Sequence, residues 1–202
     1  MKKIDTLVSS VALAAALATP HAQAFDLFGR KDEAPLREGY SCCNLHYEDD
    51  WISDSNYGAL PFIPAGTPVK LKSFGRYRMH VDMDGKAMRI GQDYGRAQES
   101  LEQFAEKMIV TADPKAKIAK YPANVRAAIR QGQIVPGMTK EQTIIAVGYP
   151  QTDETVSLDA PIWNYWASSF APYRVVWGKD GRIKAIHTDP VTESRMVYAK
   201  PE

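Results

Sequence analysis

Between Gly132 and Pro150, every residue with a strong backbone preference stands where a short helix flanked by two turns requires it. No other segment constrains the fold as much. Thr139 is placed to act as N-cap, and Gln142, three residues on, to return the bond and complete a capping box. The apolar pair Ile144 and Val147 follows at helical spacing. Gly148 ends the helix, because a residue without a Cβ takes the left-handed conformation after the cap, and Pro150, lacking an N–H, prevents it from resuming.

Three β-rich segments come next. Ile162-Trp163-Asn164-Tyr165-Trp166 is aromatic and preceded by Pro161, a composition suited to a half-buried pleated surface. Tyr173-Arg174-Val175-Val176-Trp177 and Arg182-Ile183-Lys184-Ala185-Ile186 are joined through Lys179-Asp180-Gly181. Asp180-Gly181 is the pair that populates a type I′ turn, so the two runs read as a hairpin. The expected order is a helix and then three strands, the last two a hairpin. Trp163 and Tyr165 share one face of their strand and are expected to cover the helices as core. Tyr149, Trp166 and Phe170 are the candidates for contact with a partner.

Gly137-Met138-Thr139, Gly148-Tyr149-Pro150, Trp163-Asn164-Tyr165, Val175-Val176-Trp177 and Asp180-Gly181-Arg182-Ile183 together resemble the BamE (SmpA, OmlA) proteins of Gram-negative envelopes. The preceding Asn124 to Gly132 looks like the family's first helix, with Pro122 near its start, so the resemblance covers roughly residues 122 to 188 and implies two helices followed by a three-stranded antiparallel sheet. It implies a protein-binding surface and a part in outer-membrane assembly, with envelope proteins as partners. Gly137, Met138, Thr139, Gln142, Gly148, Pro150, Trp163, Tyr165, Asp180 and Gly181 carry the motif, and capping and turning account for the glycines, Thr139 and Pro150.

Met1-Lys2-Lys3, the apolar run from Leu7 to Ala18, Pro20 and the Ala22-Gln23-Ala24 cleavage site read as a secretory signal peptide, with cleavage after Ala24. The apolar run is shorter than the roughly 20 residues a spanning helix needs. A periplasmic protein without stable membrane insertion is expected. BamE proteins carry a lipidated Cys directly after the leader, and this chain departs from that pattern, since its two cysteines are Cys42 and Cys43. Neighbouring Cα atoms lie about 3.8 Å apart, closer than an ordinary disulfide spans, so a bridge between them would be strained and readily reduced. A vicinal disulfide, two buried thiols and an intermolecular bridge all remain open for this pair. An oxidising compartment disfavours free thiols.

Residues 25–39 read as a flexible arm and residues 40–92 as a small antiparallel β domain. In the latter, Val69-Lys70-Leu71, Arg78 to Met83 and Lys86 to Ile90 alternate apolar with polar, and Asp84-Gly85 turns the last two into a hairpin. Pro64-Ala65-Gly66-Thr67-Pro68-Val69-Lys70-Leu71, followed by a hairpin ending in Gly91, resembles bacterial Src-homology-3-like barrels. Members of that group bind cell-wall peptide or proteins, which implies a barrel-like domain and peptidoglycan as a further partner. Leu101, Phe104, Ala105, Met108 and Ile109 mark an amphipathic helix within residues 93–114 that docks the halves on each other. Residues 115–121 read as a linker, 122–190 as the helix–helix–sheet domain and 191–202 as a C-terminal tail. The fold class is therefore α+β.

The chain has 25 basic and 24 acidic residues. A leader containing Lys2, Lys3 and Asp5 leaves a formally neutral mature protein, which does not suggest nucleic acid as a partner. Lys115, Lys117 and Lys120, like Lys70, Lys72, Arg76 and Arg78, read as solvated faces. No catalytic fingerprint, metal-ligand pattern or cofactor motif is present. His46, His80 and His187 are widely separated, and the consecutive carboxylates Glu48, Asp49 and Asp50 point alternately to opposite faces of an extended segment. A non-catalytic binding protein is expected. A periplasmic peptidoglycan-binding or hydrolase-inhibitor protein is the alternative.

Overall fold

The computed structural model describes residues 35–93 and 99–199. The expected leader and residues 25–34 of the expected arm lie outside the described residues. Within the arm's last positions, β1 (Arg37–Ser41) already pairs in a sheet. β2 (Leu45–His46) and β3 (Trp51–Ser53) follow it. β4 (Phe62–Ile63) returns onto β2 as a short ribbon. β5 (Pro68–Phe74), β6 (Arg78–Met83) and β7 (Lys86–Gly91) make an antiparallel meander. The alternating residues Val69, Leu71, Met79, Val81, Met83, Met88 and Ile90 all point into one core. Between β6 and β7, Asp84 and Gly85 both take positive φ, 53° and 86°, as a type I′ turn requires.

After β7 comes α1 (Leu101–Met108), opened by a capping box between Ser100 and Gln103. It buries Phe104, Ala105 and Met108 on the sheet. The apolar face read as helix through Ile109 ends earlier, because β-branched Ile109 and Val110 go extended as β8 (Ile109–Val110) and pair with β1. The sheet order is β3-β7-β6-β5-β1-β8. Two expectations change here. The sheet curls but its edge strands β3 and β8 do not pair with each other, so it is not a closed barrel. It is also not wholly antiparallel, since β3 runs parallel to β7 with Ile52 opposite Ile90. The connection between those strands passes through β4, β5 and β6, so no tight turn imposes the antiparallel direction.

Residues 115–121, read as a linker, hold the short helix α2 (Lys115–Ile118). Asp113 Oδ1 accepts from the Lys115 N–H at 2.9 Å, and Pro114 is compatible with a helix start, which explains the helix in a segment read as a break. α3 (Ala123–Arg130) and α4 (Lys140–Val147) are the two expected helices. Thr139 is the N-cap of α4 and forms the capping box with Gln142, while Gly148 at φ 83° ends the helix with its N–H on Ile144 O at 2.8 Å. β9 (Ile162–Trp166), β10 (Pro172–Trp177) and β11 (Ile183–His187) make an antiparallel sheet in the order β11-β10-β9. Trp163, Tyr165, Tyr173, Val175, Trp177 and Ile183 form its inner face and share a core with Val125, Ala128, Ile129, Met138, Ile145 and Val147. Trp163 meets Trp177 edge-on at 4.7 Å, and Tyr165 stacks on Tyr173 at 5.3 Å.

The β10–β11 connection is not the expected type I′ turn. Gly181 has φ 72°, but Asp180 does not take positive φ. The Gly178 N–H donates to Arg182 O and the Gly181 N–H to Gly178 O, closing a three-residue loop in which Gly181 alone needs the left-handed conformation. Residues 191–202 are not a tail throughout. Asp189 caps α5 (Pro190–Met196), and Met196 is fully buried in the second core. Ile134 N–H donates to Met196 O at 2.9 Å and Tyr198 N–H to Ile134 O at 2.8 Å.

The described residues, 35–93 and 99–199, fall in one contact unit. Ile144 packs on both cores, so α4 lies between them and is buried on most of its sides rather than along one stripe. Two buried asparagines complete the junction. Asn44 Nδ2 donates to Ile129 O at 2.7 Å and Ala146 O at 2.9 Å, and Asn56 Nδ2 donates to Val147 O at 2.7 Å. These carbonyls belong to the last turns of α3 and α4, where i→i−4 partners run out; Ile129 O also accepts from the Gly132 N–H at 3.1 Å. Gly148 is needed here for a second reason: a Cβ on it would lie 2.3 Å from Asn56 Nδ2.

Candidate functional site

Cys42 and Cys43 form an intramolecular disulfide, with Cα atoms 3.8 Å apart. The bridge lies in the short segment between β1 and β2, which is held from both sides. Cys42 N–H donates to Met108 O, and Asn44 N–H donates to Ile145 O, each at 3.0 Å. Cys42 lines an open cleft of about 460 Å³ together with Val110, Ile144, Tyr149, Lys117 and Glu141. Cys43, fully buried, lines a narrower recess with Asp54, Phe104, Lys107 and Tyr149. Tyr149 therefore borders both spaces.

The electrostatics of the two spaces are largely self-neutralised. Lys107 Nζ stands 2.7 Å from Glu99 Oε1 and 5.3 Å from the Tyr149 ring centroid. Burial, helped by the Glu99 charge, pushes the Tyr149 hydroxyl above its ordinary value, so it stays protonated and can donate. Burial also raises the Asp54 carboxyl, against the opposing bond from the Asp93 N–H. Across the open cleft, Lys117 pairs with Glu141, which also accepts from the Tyr121 hydroxyl at 3.2 Å. The result is an apolar floor with a charged but balanced rim.

Of the other two partner-contact candidates, Trp166 and Phe170 share the β9–β10 hairpin, and neither lines these spaces. Trp166 lies on the strand face opposite Trp163 and Tyr165, alongside Ile162 and Asn164, and its indole N–H donates to Glu154 Oε2 at 3.1 Å. Phe170 is 96% exposed in the turn. The outer face of the sheet also carries Val176, which pairs with Ile162 in register. Gly137, Met138, Pro150, Asp180 and Gly181 have architectural roles. Gly137 at φ 87° donates its N–H to Ile183 O, Met138 and Pro150 are buried, and Asp180 Oδ1 accepts from the Arg182 N–H.

A further cluster was read in sequence only as a solvated basic face. The Arg78 guanidinium stands 5.2 Å and that of Arg89 6.0 Å from the Trp51 ring centroid, and Arg76 stands 4.8 Å from the ring of Tyr77. Trp51 donates its indole N–H to Asp93 at 3.1 Å. Gly91 makes room for this arrangement, because a Cβ there would lie 2.8 Å from the Trp51 ring. The signal in sequence would have been aromatic residues interleaved with Arg76, Arg78 and Arg89.

The histidines and the acidic triplet do not converge. Among the described residues no group of three or more His, Cys, Asp or Glu side chains is arranged to hold a metal ion. Asp50 forms a bidentate pair with Arg89, which holds its carboxyl below the usual range. His46 is 2% exposed, with Nδ1 2.7 Å from Leu60 O. A carbonyl only accepts, so Nδ1 carries the proton, and burial holds the ring's pKa below its ordinary value of about 6.5. The folded protein therefore resists protonation in a range where the unfolded chain accepts a proton. Stability from this residue is intact above about pH 6.5 and declines as the pH falls from there toward the lower folded value. In denaturant titrations, His46→Asn, which keeps a donor for Leu60 but does not titrate, is expected to flatten the acid slope just below pH 6.5. An unchanged slope would remove His46 as its source.

Comparison with protein-family models, with curated proteins and with solved structures found no match.

Proposed function

We propose that this chain is an exported, non-catalytic protein of the periplasm whose helix–helix–sheet part binds other envelope proteins, in the manner that the BamE resemblance implies. Outer-membrane assembly components are the first partners to test. The sequence basis is the leader ending at Ala24 together with the motif from Gly137 to Ile183. Among the described residues no helix is long and apolar enough to cross a membrane. In the finer layout of this reading, residues 40–92 and 122–190 are two binding modules joined through α1.

The observation that carries the reading is Phe170, 96% exposed at the tip of a hairpin whose outer face presents Ile162, Trp166 and Val176. An aromatic side chain placed in water at a hairpin tip is suited to anchor in a partner pocket. A photo-crosslinking residue at position 170, activated in intact cells, is expected to capture an envelope protein. Phe170→Asp is expected to weaken that partner's binding at least about tenfold, as loss of an anchor does. Equal binding by the Asp variant would sink the reading.

A second reading, peptidoglycan binding or inhibition of an envelope hydrolase, is favoured by the Trp51, Arg76, Tyr77 and Arg78 cluster. Flat aromatic and guanidinium faces suit sugar rings and peptide carboxylates. Cosedimentation with purified cell wall that survives Trp51→Ala would count against it.

A further inference from the structure

We infer that the Cys42–Cys43 disulfide is a reversible thiol-exchange site, reached by a dithiol through the open cleft, which sets how firmly the six-stranded sheet is tied to α4. This goes beyond the proposed binding function and does not depend on Phe170 or its partner.

The two sulfurs are not equivalent. Cys42 is 7% exposed and borders the cleft of about 460 Å³, whereas Cys43 is fully buried beside the narrower recess. A thiolate entering from solvent therefore meets Cys42 first. It bonds to Cys42 Sγ, the S–S bond breaks, and the electron pair leaves on Cys43 Sγ. Cys43 departs into a recess that also holds Lys107, whose ammonium, with its partner Glu99, is the cation available there. The second thiolate of the dithiol then attacks the reagent's own sulfur in the mixed disulfide and expels Cys42. The dithiol leaves as a disulfide, and two electrons and two protons have passed to the cysteine pair. Oxidation by a disulfide of the compartment reverses both steps.

Reoxidation has a single intramolecular outcome, because the chain contains no other cysteine. The consequence follows from position. The ring occupies the two residues between Ser41, where β1 ends, and Asn44, whose backbone and side chain bond Ile145, Ala146 and Ile129. Opening the ring returns rotamer freedom to both cysteines next to Asn44, one of the residues that lace the sheet core to the helix core. Tyr149 and Ile144, which pack over this segment, lose a fixed floor.

The test uses the full exported protein. Treated with dithiothreitol under native conditions and then with iodoacetamide, it is expected to gain two alkyl groups by intact mass. With the monothiol glutathione, peptide mapping is expected to place the mixed disulfide on Cys42. A C-x-x-C oxidoreductase supplied in its dithiol form should also reduce the pair if the source is a protein. If only the small dithiol works, the site is addressed by small thiols. Hydrogen exchange at the Cys42 and Asn44 amides is expected to rise at least about tenfold on reduction and to fall again on oxidation, with β9–β11 unchanged. C42S/C43S is expected to show the fast pattern without reductant, and if it does not fold, the wild-type measurement still decides. Reduction only after unfolding, a mixed disulfide on Cys43, unchanged exchange, or exported protein with two free thiols would each overturn the inference.

Discussion

Asn44→Ala is expected to lower the unfolding free energy by about 3–5 kcal/mol, among the largest effects of any single substitution here. Asn44 is 1% exposed, and its side chain serves three backbone groups. It donates to Ile129 O and Ala146 O and accepts from the Ala65 N–H at 3.0 Å. Alanine leaves the Ala146 carbonyl and the Ala65 N–H buried and unpaired, each at a cost of about 1–3 kcal/mol, and strips Ile129 O of one of its partners, the Gly132 N–H at 3.1 Å remaining. Asn44→Asp is expected to be equally harmful, because its carboxylate faces two carbonyl oxygens instead of donating to them. Urea unfolding of both variants reads the result. A loss under about 1 kcal/mol for Asn44→Ala would mean that water replaces the side chain and that the junction is not dry.

Met196→Ala is expected to cost about 2–5 kcal/mol and to lower the melting temperature by roughly 5–15 °C. Met196 is fully buried in the helix-side core, although it lies only a few residues from the end of the sequence. Its side chain lies beside Gly58, where a Cβ would come within 2.2 Å of Met196 Cε, so the void left by alanine has little flexible material around it to close it. Removing residues 190–202 is expected to do more, since the backbone bonds that flank Ile134 go as well. Differential scanning calorimetry distinguishes the cases. A truncated protein with an unchanged transition would show that α5 is only appended to the core.

Much of the local structure was legible. The α4 capping box depends on Thr139 and Gln142, and the β6–β7 hairpin on Asp84-Gly85, within a few residues each. The same dipeptide at 180–181 misled, because the bulge between Val176 and Trp177 lengthens the loop and relieves Asp180 of positive φ. The missed α5 had its signal in place: Asp189 before Pro190 is an N-cap followed by a residue suited to the first turn. Met196 was hidden because it is the one large apolar side chain that α5 buries, its i−4 neighbour on the same face being the polar Thr192.

The candidate site was less legible. Tyr149, Trp166 and Phe170 stand out as loop and strand aromatics, but nothing in their spacing says that Tyr149 borders the disulfide while the other two belong to a hairpin elsewhere. The pairing of Cys42 with Cys43 was one of several chemically allowed states.

The sequence by itself determined the capped helix α4, the β6–β7 turn and the alternating strands β5 to β7 and β9 to β11, because capping, chain reversal and apolar alternation are interactions among near neighbours. Only the tertiary structure decided that Asn44 caps carbonyls 85 and 102 positions away and that α4 is shared by two cores. A buried amide has no pattern of its own, and its role exists only once distant backbone groups have been brought to it and left with no water.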